Sequence, residues 1–305
     1  MVKRRPSVER GSADILRAAR AAGIVIPAFN IPYLPMVKPV IDAVRDADSF
    51  AFLEVARLEW EKFQSGSIED VAREYTRWAD RDRTRLHLDH VPVIDEEGRR
   101  VDWQPLFKRA IAAGFDSLMV DGSRLALEEN IRVTREAVLM AHAAGKPCEA
   151  ELGAVMGHED GPLPDYEELF RSGRGFTDPS EAARFVRETE CDWLSVAIGN
   201  IHGAISRARR DERKVEARLS LERLRLITEA TSIPLVLHGG SGIRPEDVRS
   251  AFRLGIAKIN VGVDIRQAWE QTVKGGEAAA ARAVYDRASE LLRVTYGLSG
   301  SRGRL

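Results

Sequence analysis

The chain has 305 residues, 44% of them apolar and 30% charged, with 46 Lys and Arg set against 47 Asp and Glu for a formal net charge of −1. That balance excludes a surface built to coat nucleic acid or an anionic membrane, since either needs surplus cations. The length can bury a sizeable core and allows one large α/β domain, whereas no apolar run approaches the roughly 18–20 residues of a membrane span.

In chain order, short runs rich in Val, Ile, Leu and Phe alternate with longer amphipathic stretches, the rhythm of a parallel sheet with helical crossovers. Residues up to Arg10 read as a solvated basic tail. A strand is expected at 24–29, then a helix at 36–48 whose Val37, Val40, Ile41 and Val44 mark one face, then a strand at 50–56. A charged helix around 67–80 leads to a strand at 85–90, a helix at 103–113 to a strand at 115–121, and a helix at 125–144 to a strand at 148–153. The segment 154–177 carries Gly157, Gly161, Pro162, Pro164, Gly173 and Gly175 and reads as a long, turn-rich loop, a lid on the catalytic face. Helices at 179–189, 221–230 and 245–254 then separate strands at 192–198, 234–239 and 257–263. A last helix at 277–294, apolar at Val284, Leu291 and Leu292, is expected to pack on the barrel or on a neighbouring subunit, and 297–305 reads as a flexible tail.

Eight such units, with no GxGxxG after the first strand, predict an α/β fold of the (β/α)8 TIM barrel type over a doubly wound sheet. Residues 1–305 would form a single domain, with the barrel at about 13–275 and an additional C-terminal helix at about 277–295. The basic N-terminus MVKRRPSVERGSAD lacks the apolar stretch of a signal peptide, so a cytoplasmic location is expected.

Barrel enzymes draw their catalytic groups from the C-terminal ends of the strands. Here those ends carry Asp89 and His90, Asp121, Glu149 and Glu151, His202, His238, and Asn260 with Asp264. Of six histidines, His90, His202 and His238 fall at or just after the ends of expected strands three, six and seven. Three neutral imidazoles converging beside carboxylates are a holder for zinc or a related divalent ion. His87 alternates with Asp89 and reads as a supporting core residue, while His142 and His158 read as structural or solvated. Cys148 and Cys191 have no metal-ligand spacing and read as small buried side chains. In HGGSG the glycines let backbone amides approach an anion, and Ser241 offers a hydroxyl. After strand two, Arg57 either grips a carboxylate or distal phosphate in bidentate fashion or pairs with Glu54 or Glu61.

At these residues the chain resembles the class II, metal-dependent ketose-bisphosphate aldolases, which include fructose- and tagatose-bisphosphate aldolases. The resemblance runs from about Ile24 to Trp269 through PAFN, LHLDH, DGS, EENI, EAELG, GHEDG, FTDP, AIGNIHG, LVLHGGSGI and KINV, in that order. It implies zinc or another divalent ion on His90, His202 and His238, with Glu151 and Asp121 at positions associated with alternative, second or monovalent cation binding. It implies Asp89 as the acid/base at the C4 hydroxyl, Glu159 as the carboxylate that moves protons at carbon, and Asn260 as a hydrogen-bond donor to the intermediate. Gly203, Gly239, Gly240 and Ser241, with the backbone of Val261, Gly262, Val263 and Asp264, correspond to the cradle for a dihydroxyacetone phosphate moiety.

The departures lie on the substrate side. Gly262, Val263 and Asp264 stand where the family usually carries a polar run with a threonine, and one lost hydrogen bond to a charged oxygen costs about 1.5–3 kcal/mol. Ala204, Ile205 and Ser206 replace the usual tyrosine and lysine, and Glu54, Ala56, Arg57 and Glu59 replace a small, hydroxyl-bearing segment. The expected activity is therefore reversible retro-aldol cleavage of a ketose phosphate or bisphosphate, without a commitment to fructose 1,6-bisphosphate. Alternatives are a metal-dependent hydrolase on the same barrel and a non-catalytic sugar-phosphate-binding relative. A small-molecule sugar phosphate, no nucleic acid, no membrane and a homo-oligomer, dimer or tetramer, complete the expectation.

Overall fold

The structure is a computed structural model that describes residues 10–153, 166–200, 217–240 and 243–305. Eight parallel strands close into a barrel in sequence order: β1 (Ile26–Asn30), β2 (Ala51–Ala56), β3 (Thr84–Pro92), β4 (Ser117–Asp121), β5 (Cys148–Leu152), β6 (Trp193–Val196), β7 (Leu235–Leu237) and β8 (Ile256–Val261). The ring closes where Ile26 of β1 lies opposite Lys258 of β8. Every strand residue but His90 and Asp121 is buried, so each strand reads as a near-continuous apolar run interrupted by the polar groups that face the lumen. The fold is a (β/α)8 TIM barrel, as expected.

Helix α1 (Ser12–Ala22) comes before β1, and α2 (Val37–Asp46), α3 (Arg57–Lys62), α4 (Ile68–Trp78), α5 (Trp103–Ala113) and α6 (Leu127–Ala143) lie in the crossovers. There follow α7 (Tyr166–Ser172), α8 (Pro179–Thr189), α9 (Leu221–Thr231), α10 (Pro245–Arg253), α11 (Val263–Thr272) and α12 (Glu277–Glu290). Local chemistry sets their starts. Ser67 and Asp70 cap α4 reciprocally, the Asp70 amide donating to Ser67 Oγ at 3.1 Å and the Ser67 amide to Asp70 Oδ2 at 2.8 Å. Asp178 accepts from the amides of Ser180 and Glu181 while Pro179 fills the first turn of α8.

Three parts depart from the expectation. Helix α1 precedes the barrel and buries Ile15, Leu16 and Ala19. Arg20 at its end bonds the Ser232 carbonyl before β7, and the Arg10 carbonyl accepts from Arg85 in β3, so α1 crosses the N-terminal mouth of the barrel. Within 154–177 the described residues include a helix, α7, rather than loop alone; 154–165 lie outside the described residues. The expected flexible tail 297–305 is instead docked. The Gly300 amide donates to the Ala47 carbonyl at 2.9 Å, the Ser301 and Ser49 hydroxyls meet at 3.1 Å, and Leu298 is buried. Its polar composition hid these backbone bonds, which need no particular side chain. Helix α12 packs on α2, with the Tyr285 hydroxyl donating to Asp46 at 2.6 Å, and continues as a widened turn over Leu291–Thr295.

Candidate active site

Strand alternation sends consecutive side chains to opposite faces, so Asp89 and His90 cannot both enter the lumen from a regular strand. The register between β3 and β4 slips between Leu88 and Val91, placing one extra residue in β3. His90 takes up the bulge with a φ of +27°. The bulge re-aims one side chain, and both neighbours reach the same site at the cost of local backbone strain.

Asp89 is buried beneath the mouth and held from both sides: Asn30 Nδ2 of β1 donates to its Oδ2 at 3.0 Å, and Asn260 Nδ2 of β8 to its Oδ1 at 2.9 Å. Burial alone would raise its pKa, but His90, Lys258 and His238 pull it below the usual carboxylate value. It therefore stands as a carboxylate able to accept a proton.

The two described histidines of the expected metal set come together, with His90 Nε2 and His238 Nδ1 2.7 Å apart. Each ring is oriented from behind. His90 Nδ1–H donates to Asp121 Oδ2 at 3.0 Å, and His238 Nε2–H donates to Glu149 Oε1 at 2.8 Å. These carboxylate–histidine pairs turn His90 Nε2 and His238 Nδ1 toward one point, and the hydrogen bond between them runs from the proton-bearing His90 Nε2 to His238 Nδ1. Asp121 is itself anchored by the amide and hydroxyl of Ser123 at 3.0 and 2.6 Å. Glu151 Oε2 lies 3.4 Å from His238 Nδ1, is buried, and has no hydrogen-bond partner among the described residues. Burial, then the charge of Asp121, push the Glu151 carboxyl well above its ordinary value. Burial would lower His90, but Asp89, Asp121 and Glu151 together raise it well above its usual value. Two convergent imidazoles, an orphaned buried carboxylate oxygen and a field that favours positive charge fit a divalent cation. Asp89 with His90 and His238 forms one group of close potential ligand atoms, and His90 with Asp121 and Glu151 another.

The surrounding motifs hold this arrangement. Asn130 Nδ2, from EENI, donates to the Glu151 carbonyl at 3.0 Å, and only a glycine at 122 leaves room for it, since a Cβ there would lie 2.1 Å from Asn130 Oδ1. Thr177 ties β5 to β6 through the Leu152 carbonyl and the Ala197 amide. Asn200 Nδ2 donates to the His238 carbonyl at 3.0 Å. Gly240 lets the loop after β7 lie against Ile259 and the Asn260 carbonyl. His87, as expected, is a fully buried support, 2.8 Å from Ser117 Oγ and 3.3 Å from Glu149.

His202, Glu159, Gly203 and Ser241 lie outside the described residues. Val261, Gly262, Val263 and Asp264 form the junction from β8 into α11, whose start no side chain caps. The Asp264 carboxylate pairs with Arg287 of α12 at 2.6 Å. Arg57 pairs with Glu61 at 2.9 Å and lies 3.7 Å from Asp95, the ion-pair alternative of its two readings. Three supporting side chains were given no role from the sequence, although Glu149 was visible at a strand end and Glu59 after strand two. Glu149 orients His238. Lys258 stands beneath Asp89. Glu59, buried at the start of α3, accepts from the Ala56 amide at 2.7 Å and bonds Asn30; burial pushes its carboxyl up to about 8. None carries a spacing signal, because each is defined by partners on other strands.

The family model described as fructose-bisphosphate aldolase class-II matches residues 11–299. YdjI of Escherichia coli (strain K12) is 37% identical over 290 residues, covering 90% of this chain and 92% of that protein. The crystal structure of the YdjI aldolase aligns at a TM-score of 0.74 and 32% identity, covering 95% of this chain and 98% of that one. A fructose-bisphosphate aldolase of Helicobacter pylori (strain J99) is 33% identical over 86% of this chain and 79% of its own length. A 6-phospho-5-dehydro-2-deoxy-D-gluconate aldolase of Halalkalibacterium halodurans is 40% identical over 62% of this chain and 57% of its own length.

Proposed function

The chain belongs to the class-II fructose-bisphosphate aldolase family, and from that premise we propose that it is a zinc-dependent lyase that cleaves a ketose phosphate to dihydroxyacetone phosphate, or a related ketone, and an aldehyde. The observation that carries this reading is the Asp89 carboxyl, gripped by Asn30 and Asn260 directly beside two histidines whose ring nitrogens converge. His90, His238 and His202 would hold the ion, with Glu151 and Asp121 available to an alternative or second cation. A divalent ion supplies Lewis acidity toward the ketone oxygen of the substrate.

Asp89 accepts the proton of the C4 hydroxyl as the C3–C4 bond breaks and the aldehyde carbonyl forms. The bond's electron pair stays on C3 of the ketone fragment. Asn260 is fixed where its amide can also meet the charge that develops on that fragment. Glu159 returns a proton to C3, and the reverse sequence makes the bond. The phosphate is assigned to the uncapped start of α11 and the glycines after β7, a position barrels use for phosphate. Gly203 and Ser241 complete that cradle in our reading, and Arg57 meets the distal end of the substrate if it exchanges Glu61 for it. We assign the chain to the cytoplasm as a homo-oligomer. No helix among the described residues is long and apolar enough to cross a membrane.

The test is proton exchange at the hydroxymethyl carbon of dihydroxyacetone phosphate in deuterated water, followed by NMR on zinc-loaded protein. Exchange should stop on EDTA treatment and in Glu159→Ala, and should survive Asp89→Ala. No metal-dependent exchange in a protein holding tight zinc rules out this donor.

A further inference from the structure

One fully buried charge is not used by this mechanism. Lys258 of β8 points into the lumen below Asp89, and its Nζ lies 2.8 Å from Asn260 Oδ1, 3.0 Å from Glu149 Oε2 and 3.1 Å from Glu54 Oε2. The ammonium donates a hydrogen bond to Asn260 Oδ1 and stands within ion-pair range of the two glutamates.

We propose that Lys258 is a positioning residue that sets, from one point, both the amide orientation of Asn260 and the ring tautomer of His238. Lysine can only donate, so the Asn260 edge facing it must be the carbonyl oxygen. The amide nitrogen is thereby turned to Asp89 Oδ1, at 2.9 Å. Reversing the amide would set an oxygen against a carboxylate and a nitrogen against an ammonium. The same ammonium, with the Trp193 indole N–H at 2.5 Å, occupies Glu149 Oε2. That leaves Glu149 Oε1 as an acceptor, and it takes the proton-bearing Nε2 of His238, keeping Nδ1 bare toward His90. The proton-transfer half and the metal-facing half of the site therefore hang from one side chain, in a barrel interior where an orienting group is locked on all sides. Glu54 faces the same ammonium from β2 at 3.1 Å. The catalytic consequence rests on the aldolase reading; the orientation of the rings does not.

The experiment uses 15N-histidine NMR and zinc titration against a chelator on the full chain. In the wild type, His238 should carry its proton on Nε2; a proton on Nδ1 overturns the proposal without any variant. Lys258→Met should shift the ring toward the other tautomer and weaken zinc binding about 10- to 100-fold, as outer-shell changes do. It should also lower kcat with little change in KM, through Asn260. The double variant Lys258→Met/Glu54→Gln, which removes the amine together with the carboxyl that faces it from β2, serves if the single variant does not fold. It should show the same ring shift and weakened binding. Wild-type tautomer, zinc affinity and kcat in either folded variant overturn the proposal. Ring shift and zinc loss in a protein whose wild type shows no exchange on dihydroxyacetone phosphate would rule out that donor and leave the positioning role standing.

Discussion

The floor of the barrel lumen and its mouth are built from the same residue types and solve the same problem differently. On the floor, Glu149 is pulled well below the usual carboxylate value: burial opposes this, but Lys258, His238 and His87 overcome it. Its neighbour Glu54 is pushed well above that value by burial and by Asp89. At the mouth Asp121 is likewise drawn down, burial being outweighed by His90 and Ser123, while Glu151 is driven up. Each layer thus splits a pair of buried carboxyls into one charged and one proton-holding group. The difference lies in the cation. The floor has one covalently attached, Lys258, fully enclosed and permanent. The mouth relies on imidazoles and on whatever positive charge they gather, which makes its cation exchangeable. A fixed layer supports an adjustable one, and chemistry belongs to the layer that can change.

The contrast can be broken at the mouth or across the two layers. The largest effect is expected from Asp89→Asn, which keeps the shape but removes the base: kcat for cleavage should fall about 10²- to 10⁴-fold while zinc still binds, measured by coupled aldehyde assay and metal titration. Unchanged kcat would remove Asp89 from the mechanism. Next, Glu149→Gln takes the acceptor from behind His238 and turns the floor against the mouth. Zinc affinity should drop about 10- to 100-fold, read by competition with a chelator, and tight binding would show that the ring is held by other means.

The smallest effect concerns Glu59, whose carboxyl is raised from 4.5 in the open chain to about 8 in the fold. A raised carboxyl binds more protons when folded, so its contribution to stability is full below about pH 4.5 and is lost as the pH rises toward 8. Melting temperatures recorded between pH 5 and pH 9 should therefore fall more steeply with pH for the wild type than for Glu59→Gln. Parallel slopes would show that Glu59 does not retain its proton.

Much of this was legible from position alone. Strand ends carry barrel chemistry, so Asp89, His90, His238 and Asn260 could be named from where they fall, and the motifs between them proved to be braces for those strands. The one-residue bulge at His90 was not legible, because strict alternation would have sent that ring outward, and nothing in LHLDH announces an extra residue. Lys258 was equally opaque, and Glu149, visible at the end of its strand, gave no sign of its place behind His238. A lysine between two apolar neighbours reads as an edge or an exception until the opposite wall of the barrel supplies its carboxylates. Helix α1 and the docked tail escaped for another reason: both act on the N-terminal side of the barrel, through backbone carbonyls that leave no compositional trace.

The closure of the ring sets a clock on the chain's assembly. Strand β1 is made long before β8, yet one of its edges belongs to that strand. For the about 10–45 s that synthesis of the intervening residues takes, that edge has no native partner. Contacts so distant along the chain make for slow folding, and an apolar parallel edge is a template for wrong pairings. The last turns, pinned back onto the loop before β2, seal a structure that nothing earlier in synthesis can complete.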